Sequence, residues 1–146
     1  MAENRSSAAS RDGDRGGHRN CGWRLADLNI DGRATLVRLA QIDAPEKKMP
    51  FGRRSEQSLR ELVWKREVTA TWRELDRYGR PMAQIIVDGI DVNAAQIERG
   101  MAWVYIRYAT DPHLREMEAD ARRAKRGLWI DPDPVAPWVW RKEQTK

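Results

Sequence analysis

A small, closed or nearly closed antiparallel barrel, α+β and mainly β, is the fold class this sequence predicts, on three observations. Short apolar-alternating runs recur along the chain. Two of them turn back at Asp-Gly pairs, Asp31-Gly32 and Asp88-Gly89, a dipeptide suited to two-residue hairpins because both residues tolerate positive φ. Helical patterns are few and short, as expected of a barrel with helices packed outside it.

The elements follow in order. Residues 1–22, beginning "MAENRSSAASRDGDRGGHRN", hold almost no large apolar side chain and cannot offset the entropy of ordering, so they read as a disordered leader. Residues 23–146 read as one domain with an extended C-terminal tail. In "WRLADLNIDGRATLVRLAQI" two alternating runs flank the first Asp-Gly pair, and "EKKMPFGRR" is a basic loop. "SEQSLRELVW" sets Leu59, Leu62 and Val63 at helical spacing behind Ser55 as N-cap. "EVTATW" and "MAQIIVDGIDV" supply the next strands, and "DVNAAQIERG" is a brief helix between an Asp91 cap and Gly100. "MAWVYIRY" is a last strand-like run. "DPHLREMEADARRAKRG" is the best-formed helix: Asp111 caps it, Pro112 fits its first turn, Leu114, Met117, Ala121 and Ala124 share a face, and Gly127 ends it. "LWIDPDPVAPWVWRK" is proline-rich and is expected to pack extended over the body. An oligonucleotide-binding barrel fits the strand count.

Composition narrows the function. Of 27 Lys and Arg and 22 Asp and Glu, four basic and three acidic residues fall in the first 22 positions, leaving 23 and 19 in the domain. The folded part therefore carries nearly all the positive excess and favours polyanions. One cysteine, Cys21, excludes an internal disulfide framework and a cysteine-rich zinc site. No stretch approaches the roughly 18 apolar residues of a membrane span, and the N-terminus lacks the apolar core of a signal peptide. The expectation is a soluble chain with no membrane partner and with its compartment open.

Two segments carry chemistry. "RLAQIDAPE", Arg38–Glu46, starts as a strand with Arg38, Ala40 and Ile42 on one side and Leu39, Gln41 and Asp43 on the other. Pro45 ends strand pairing, and Glu46 is then able to swing back over the strand end. "DRYGRP", Asp76–Pro81, is a turn at Gly79 with Arg77 and Arg80 flanking Tyr78. Paired guanidinium forks match an attacked phosphate, carboxylate and carbonyl oxygens suit a hard divalent cation, and a glutamate nearby orients or deprotonates water. That inventory suits phosphodiester cleavage. No Ser/His/Asp pattern or glycine-rich phosphate loop competes with it.

"RLAQIDAPE", "FGRRS", "DRYGRPMAQIIVDGIDVN", "ERGMAWVY", "ADARRAKRGLW" and "PWVWR", in that order over about residues 24 to 141, resemble the staphylococcal nuclease (thermonuclease) family. The resemblance implies a five-stranded oligonucleotide-binding barrel with about three helices. It also implies a calcium-dependent nuclease that cleaves DNA and RNA with little sequence preference. Carried over by motif, Arg38 and Arg80 bind the scissile phosphate, Asp43 and the Ala44 carbonyl ligate calcium, and Glu46 holds or activates the attacking water. Arg77, Tyr78, Trp103 and Tyr105 contact the bound strand. The implied partners are DNA and RNA, single strands favoured, and the implied state is a monomer. Related proteins are often exported.

One departure stands out. The family carries an Asp-Gly-Asp-Thr segment whose second aspartate ligates calcium. If Asp31-Gly32 fixes the hairpin register, that position falls near Arg24, where "CGWRLA" has no acid. Three explanations stand: Asp14 of "RDGDR" loops back, Asp27 serves from a shifted register, or the ligand is absent. Two functions follow: the metal-dependent nuclease, and a nucleic-acid-binding barrel that has lost hydrolysis because a calcium ligand is missing.

Overall fold

The computed structural model describes residues 4–10, 25–30, 33–64 and 66–144. Five strands build the body: β1 Asn4–Ser10, β2 Leu25–Ile30, β3 Arg33–Leu39, β5 Glu67–Leu75 and β6 Pro81–Val87. They pair in the order β3-β2-β1-β5-β6, antiparallel throughout, and β6 then returns to β3 in parallel through Arg38↔Met82 and Leu39↔Ala83. The ring of pairings closes, so the expected five-stranded oligonucleotide-binding barrel is present.

Alternation explains its core. Val37 and Leu39 of β3, Val68 and Ala70 of β5, and Ala83, Ile85 and Val87 of β6 are all buried, with more exposed residues between them. At the parallel seam the Ala40 N–H donates to the Ala83 carbonyl at 2.9 Å, and the buried amide of Asn93 adds a bridge beside it. Its Nδ2 donates to the Ala40 and Ala83 carbonyls at 3.0 Å each, and its Oδ1 accepts from the Ile85 N–H at 3.1 Å. Both hairpins have the register their Asp-Gly pairs predict: Ile30 pairs with Arg33, and Val87 with Ile90 of the short strand β7 Ile90–Asp91. Asp88 and Gly89 take φ of 51° and 77°, the double positive φ of a type I′ turn.

Helices α1 Gly52–Val63, α2 Val92–Glu98 and α3 Pro112–Arg123 pack outside the barrel. Asp91 and Asp111 cap α2 and α3 as expected, accepting from the Ala94 and His113 N–H groups. Along α3 Leu114 and Ala121 are buried, whereas Ala124 is exposed just past the helix end. A two-stranded ribbon, β4 Ile42–Asp43 with β8 Trp103–Val104, leaves the barrel at the end of β3.

Four expectations need correction. Residues 4–10, assigned to a disordered leader, form β1; the gap between β2 and β5 offers partners on both edges for its backbone N–H and C=O groups, a pairing that requires no apolar side-chain pattern. The rest of that leader lies outside the described residues. Helix α1 starts at Gly52 behind Phe51, not behind Ser55, whose buried hydroxyl instead donates to the Met101 carbonyl at 2.7 Å. In "MAWVYIRY" only Trp103 and Val104 pair as a strand, because the chain turns at Tyr105, whose carbonyl accepts from the Tyr108 and Ala109 N–H groups. The tail is not extended: Gly127–Ile130 is a 3-10 helix and Pro137–Gln144 is a fourth α-helix, α4. Pro137 opens that helix, where its missing N–H costs nothing.

Candidate active site

The end of β3 delivers the first functional group. Arg38 is half-buried, with its guanidinium carbon 5.6 Å from the ring centroids of both Tyr105 and Tyr108. Those rings are 5.1 Å apart and tilted, a pocket of aromatic faces around one cation. Among the described residues Arg38 has no carboxylate partner.

One residue later the chain leaves the sheet. Gln41 takes φ of 67°, and its side-chain oxygen accepts from the Thr110 and Asp111 N–H groups at 2.9 and 3.0 Å, tying this kink to the start of α3. The kink re-aims the chain so that Asp43, in β4 opposite Trp103, is fully buried. Ala44 and Pro45 are buried behind it, and Glu46 follows at 4% exposure. The Glu46–Gly52 loop fixes that glutamate. Its carbonyl accepts from the Met49 N–H at 2.9 Å, its own N–H faces the Met49 sulfur at 3.3 Å, and the Gly52 Cα lies so close to the Glu46 and Lys47 carbonyls that no Cβ fits there.

Two carboxylates buried this closely need a cation. Arg141 of α4 supplies it: Nη2 lies 2.5 Å from Asp43 Oδ2, and Nη1 lies 3.2 Å from Asp43 Oδ1 and 2.9 Å from Glu46 Oε1. Burial works against the guanidinium charge, and hydrogen bonds and attraction from Asp43, then Glu46, overcome it, so the Arg141 pKa is raised.

The turn between β5 and β6 holds the second arginine. Asp76 Oδ1 accepts from the Tyr78 and Arg80 N–H groups at 2.8 and 2.9 Å, Oδ2 accepts from Arg80 Nε at 2.6 Å, and Gly79 supplies φ of 79°. Burial raises the Asp76 pKa, but the Arg80 backbone and side-chain hydrogen bonds, then that of Tyr78, outweigh it and hold the carboxyl below its ordinary 3.8. Asp76 engages only Nε, so the two terminal nitrogens of Arg80 have no hydrogen-bond partner among the described residues. Tyr78 is 70% exposed and lies under both Arg77 and Arg80, at 5.2 and 5.0 Å. The β3–β6 seam pairs Arg38 with Met82, two residues beyond Arg80, which sets both arginine segments at one rim of the barrel.

The structure thus joins Asp43 with Glu46, Arg38 with Tyr105, and Arg80 and Arg77 with Tyr78. Trp103 departs from its expected place on the bound strand. It is 9% exposed, packed edge-on against Trp129 and Trp138 at 4.6 and 5.6 Å, with Arg122 over the same cluster. Asp14 and Arg24 lie outside the described residues. Asp27 pairs with Leu36, and Leu25 with Arg38, the register that Asp31-Gly32 implied. Sequence reasoning passed over Arg141, Tyr108, Trp138 and the anchoring role of Asp76. The Trp138–Arg141 spacing of one helical turn was the available signal for two of them, masked by the prolines before it.

Comparison with known proteins identifies the chain's family. The family model described as "Staphylococcal nuclease homologue" matches residues 36–131. An "Uncharacterized endonuclease" of Escherichia coli O157:H7 is 48% identical over 110 residues, covering 75% of this chain and 72% of that protein. The "Micrococcal nuclease" of Shigella flexneri is 39% identical over 127 residues, covering 80% and 73%. A "Probable staphylococcal-like nuclease CAN1" of Oryza sativa subsp. japonica is 35% identical over 108 residues, covering 74% of this chain and 33% of that longer protein. With a closed five-stranded barrel, two arginines at its rim and two buried carboxylates at the end of β4, the chain belongs to the staphylococcal nuclease family, as a phosphodiester hydrolase.

Proposed function

We propose that this nuclease cleaves DNA and RNA with little sequence preference, favours single strands, works as a monomer and depends on calcium. The observation that carries the reading is the pairing of Asp43 and Glu46, two buried carboxylates gathered on one seat for positive charge beside a rim that presents Arg38 and Arg80.

The donor set fits a hard cation: Asp43 oxygens with the Ala44 carbonyl would hold calcium, and Glu46 would hold water near it. Bound there, calcium would supply charge neutralisation to the phosphate. The protein's own groups do the rest. Arg38 and Arg80 grip the equatorial oxygens of the phosphate, where charge gathers as water attacks phosphorus and the bond to the sugar oxygen breaks. Glu46 takes the proton of that water, and the departing sugar oxygen takes a proton from solvent. Asp76 orients Arg80 through Nε, which leaves its terminal nitrogens for phosphate. Exposed Tyr78 and Tyr108 offer ring faces to unpaired bases, and stacking of that kind is tolerant of sequence. Arg77 adds phosphate attraction beside Tyr78.

A second reading, a binding barrel without hydrolysis, draws on the Arg141 guanidinium that fills the carboxylate seat. Incubation of the purified protein with plasmid DNA and with RNA, in calcium or in chelator, separates the two. Calcium-dependent cleavage of both supports the nuclease; retention of single strands with no cleavage supports the binding barrel.

A further inference from the structure

We propose that α4 is a calcium-released latch: Arg141 is the resident cation of the Asp43–Glu46 seat, and a metal ion entering that seat expels the guanidinium and frees the helix. The inference rests on the proposed calcium site and adds a device that the site's ligands do not themselves imply.

Three observations support it. The oxygens that Arg141 occupies, both of Asp43 and one of Glu46, are those a hard cation would use. A guanidinium and a divalent ion on one fully buried carboxylate repel each other in a medium that screens them poorly, so the two occupancies exclude each other. Two of the helix's holds also lie at the site itself. Pro137 is the one buried residue of α4, and one turn apart beyond it the Trp138 ring packs on Trp103 and Tyr105 while Arg141 makes the ion pairs, so loss of those pairs loosens the helix there.

The latch also covers the phosphate arginine's neighbour. Trp138, one turn before Arg141, lies 5.3 Å from Tyr105, whose ring also lies beside Arg38 and Tyr108. Release of α4 therefore opens the ion seat and uncovers Tyr105 in one movement, so that metal loading readies the surface against which a nucleotide would lie. Without metal, Arg141 offsets part of the charge of the two buried carboxylates and keeps the site shut.

Calorimetric titration of the full chain with calcium chloride alone, without nucleic acid, tests the latch on wild type and Arg141→Gln. The proposal expects the variant to bind calcium at least about tenfold more tightly, because the ion no longer competes with a tethered cation. Equal or weaker binding overturns it, since a guanidinium that helps to position the carboxylates would be missed. Hydrogen exchange of residues 137–144 in the wild type gives a readout that survives failure of the variant to fold: calcium should speed exchange there, and unchanged or slowed exchange overturns the latch. Calcium-dependent cleavage with a static α4 would overturn the latch alone, whereas absence of calcium binding by both proteins would overturn the calcium site and the latch together.

Discussion

Arg141 grips both oxygens of Asp43 from 98 residues further along the chain, and with the same fork reaches Glu46. The two carboxylates that a short strand brings to the barrel's edge are thereby held together in the dry interior by the last helix. The rim arginines are held differently. Arg38 rests among tyrosine rings and Arg80 on a single Nε bond, so both keep guanidinium edges for a ligand.

Lysine at either rim position should keep charge and lose the bidentate fork. Arg80→Lys and Arg38→Lys should each lower kcat by two or more orders of magnitude, about 3 kcal/mol of transition-state stabilisation, with little change in melting temperature. Steady-state kinetics beside thermal melts check this; near-normal turnover in either folded variant would mean that these residues are surface ion-pair or stacking groups.

Asp76 gives a pH signature. Its carboxyl titrates below 3.8 in the folded protein, so it contributes stability that is fully present above its unfolded value and is lost as pH falls through the depressed folded value. Asp76→Asn should be less stable than wild type by about 1–3 kcal/mol near neutral pH, from the weakened charge-assisted bonds. That gap should stay constant down to about pH 5 and shrink below the ordinary 3.8. Urea melts across pH measure it, and a gap that widens in acid would contradict the assignment.

What the sequence made legible was local. Arg38, Asp43, Glu46 and Arg80 stood out because each sits in a short segment whose pattern breaks, at a proline or a glycine turn, just where a strand should end. Asp91 and Asp111 were readable as caps because capping acts within a few residues. Arg141 was not, since its partners lie near position 43 and the prolines of "DPDPVAP" argued for extended chain. Strand β1 escaped for a different reason: it pairs through its backbone on both edges, and "NRSSAAS" holds no large apolar residue to show a period. Trp103 shows the remaining ambiguity, as a tryptophan in "MAWVY" reads equally as a stacking platform or as core until its neighbours Trp129 and Trp138 are known.

The loop that fixes Glu46 should be intolerant at Gly52. A methyl there would press on the Glu46 and Lys47 carbonyls, so Gly52→Ala should cost about 1–3 kcal/mol and lower kcat by displacing the glutamate. Denaturant melts and turnover together check it; a variant that is stable and fully active would show that the loop yields freely.

Binding to single-stranded DNA should weaken with salt at a slope of about −0.7 in log affinity for each phosphate neutralised. Tyr78→Ala should remove about 1–3 kcal/mol of salt-insensitive affinity and leave folding intact. Trp103→Ala should instead destabilise the fold by about 3–5 kcal/mol, as expected of a ring buried between two others. Fluorescence anisotropy over a salt series, with thermal melts, distinguishes the two aromatics, and equal effects on binding with unchanged stability would return Trp103 to the nucleic-acid surface.

The most direct measurement is cleavage of a single-stranded DNA oligonucleotide by wild type and by Asp43→Ala across a calcium titration, with chelator as the zero point. The account predicts that wild-type cleavage rises with calcium and stops in chelator, and that Asp43→Ala shows no cleavage at any calcium concentration while still binding the strand. Cleavage by Asp43→Ala at the wild-type rate, or wild-type cleavage that persists in chelator, would contradict it.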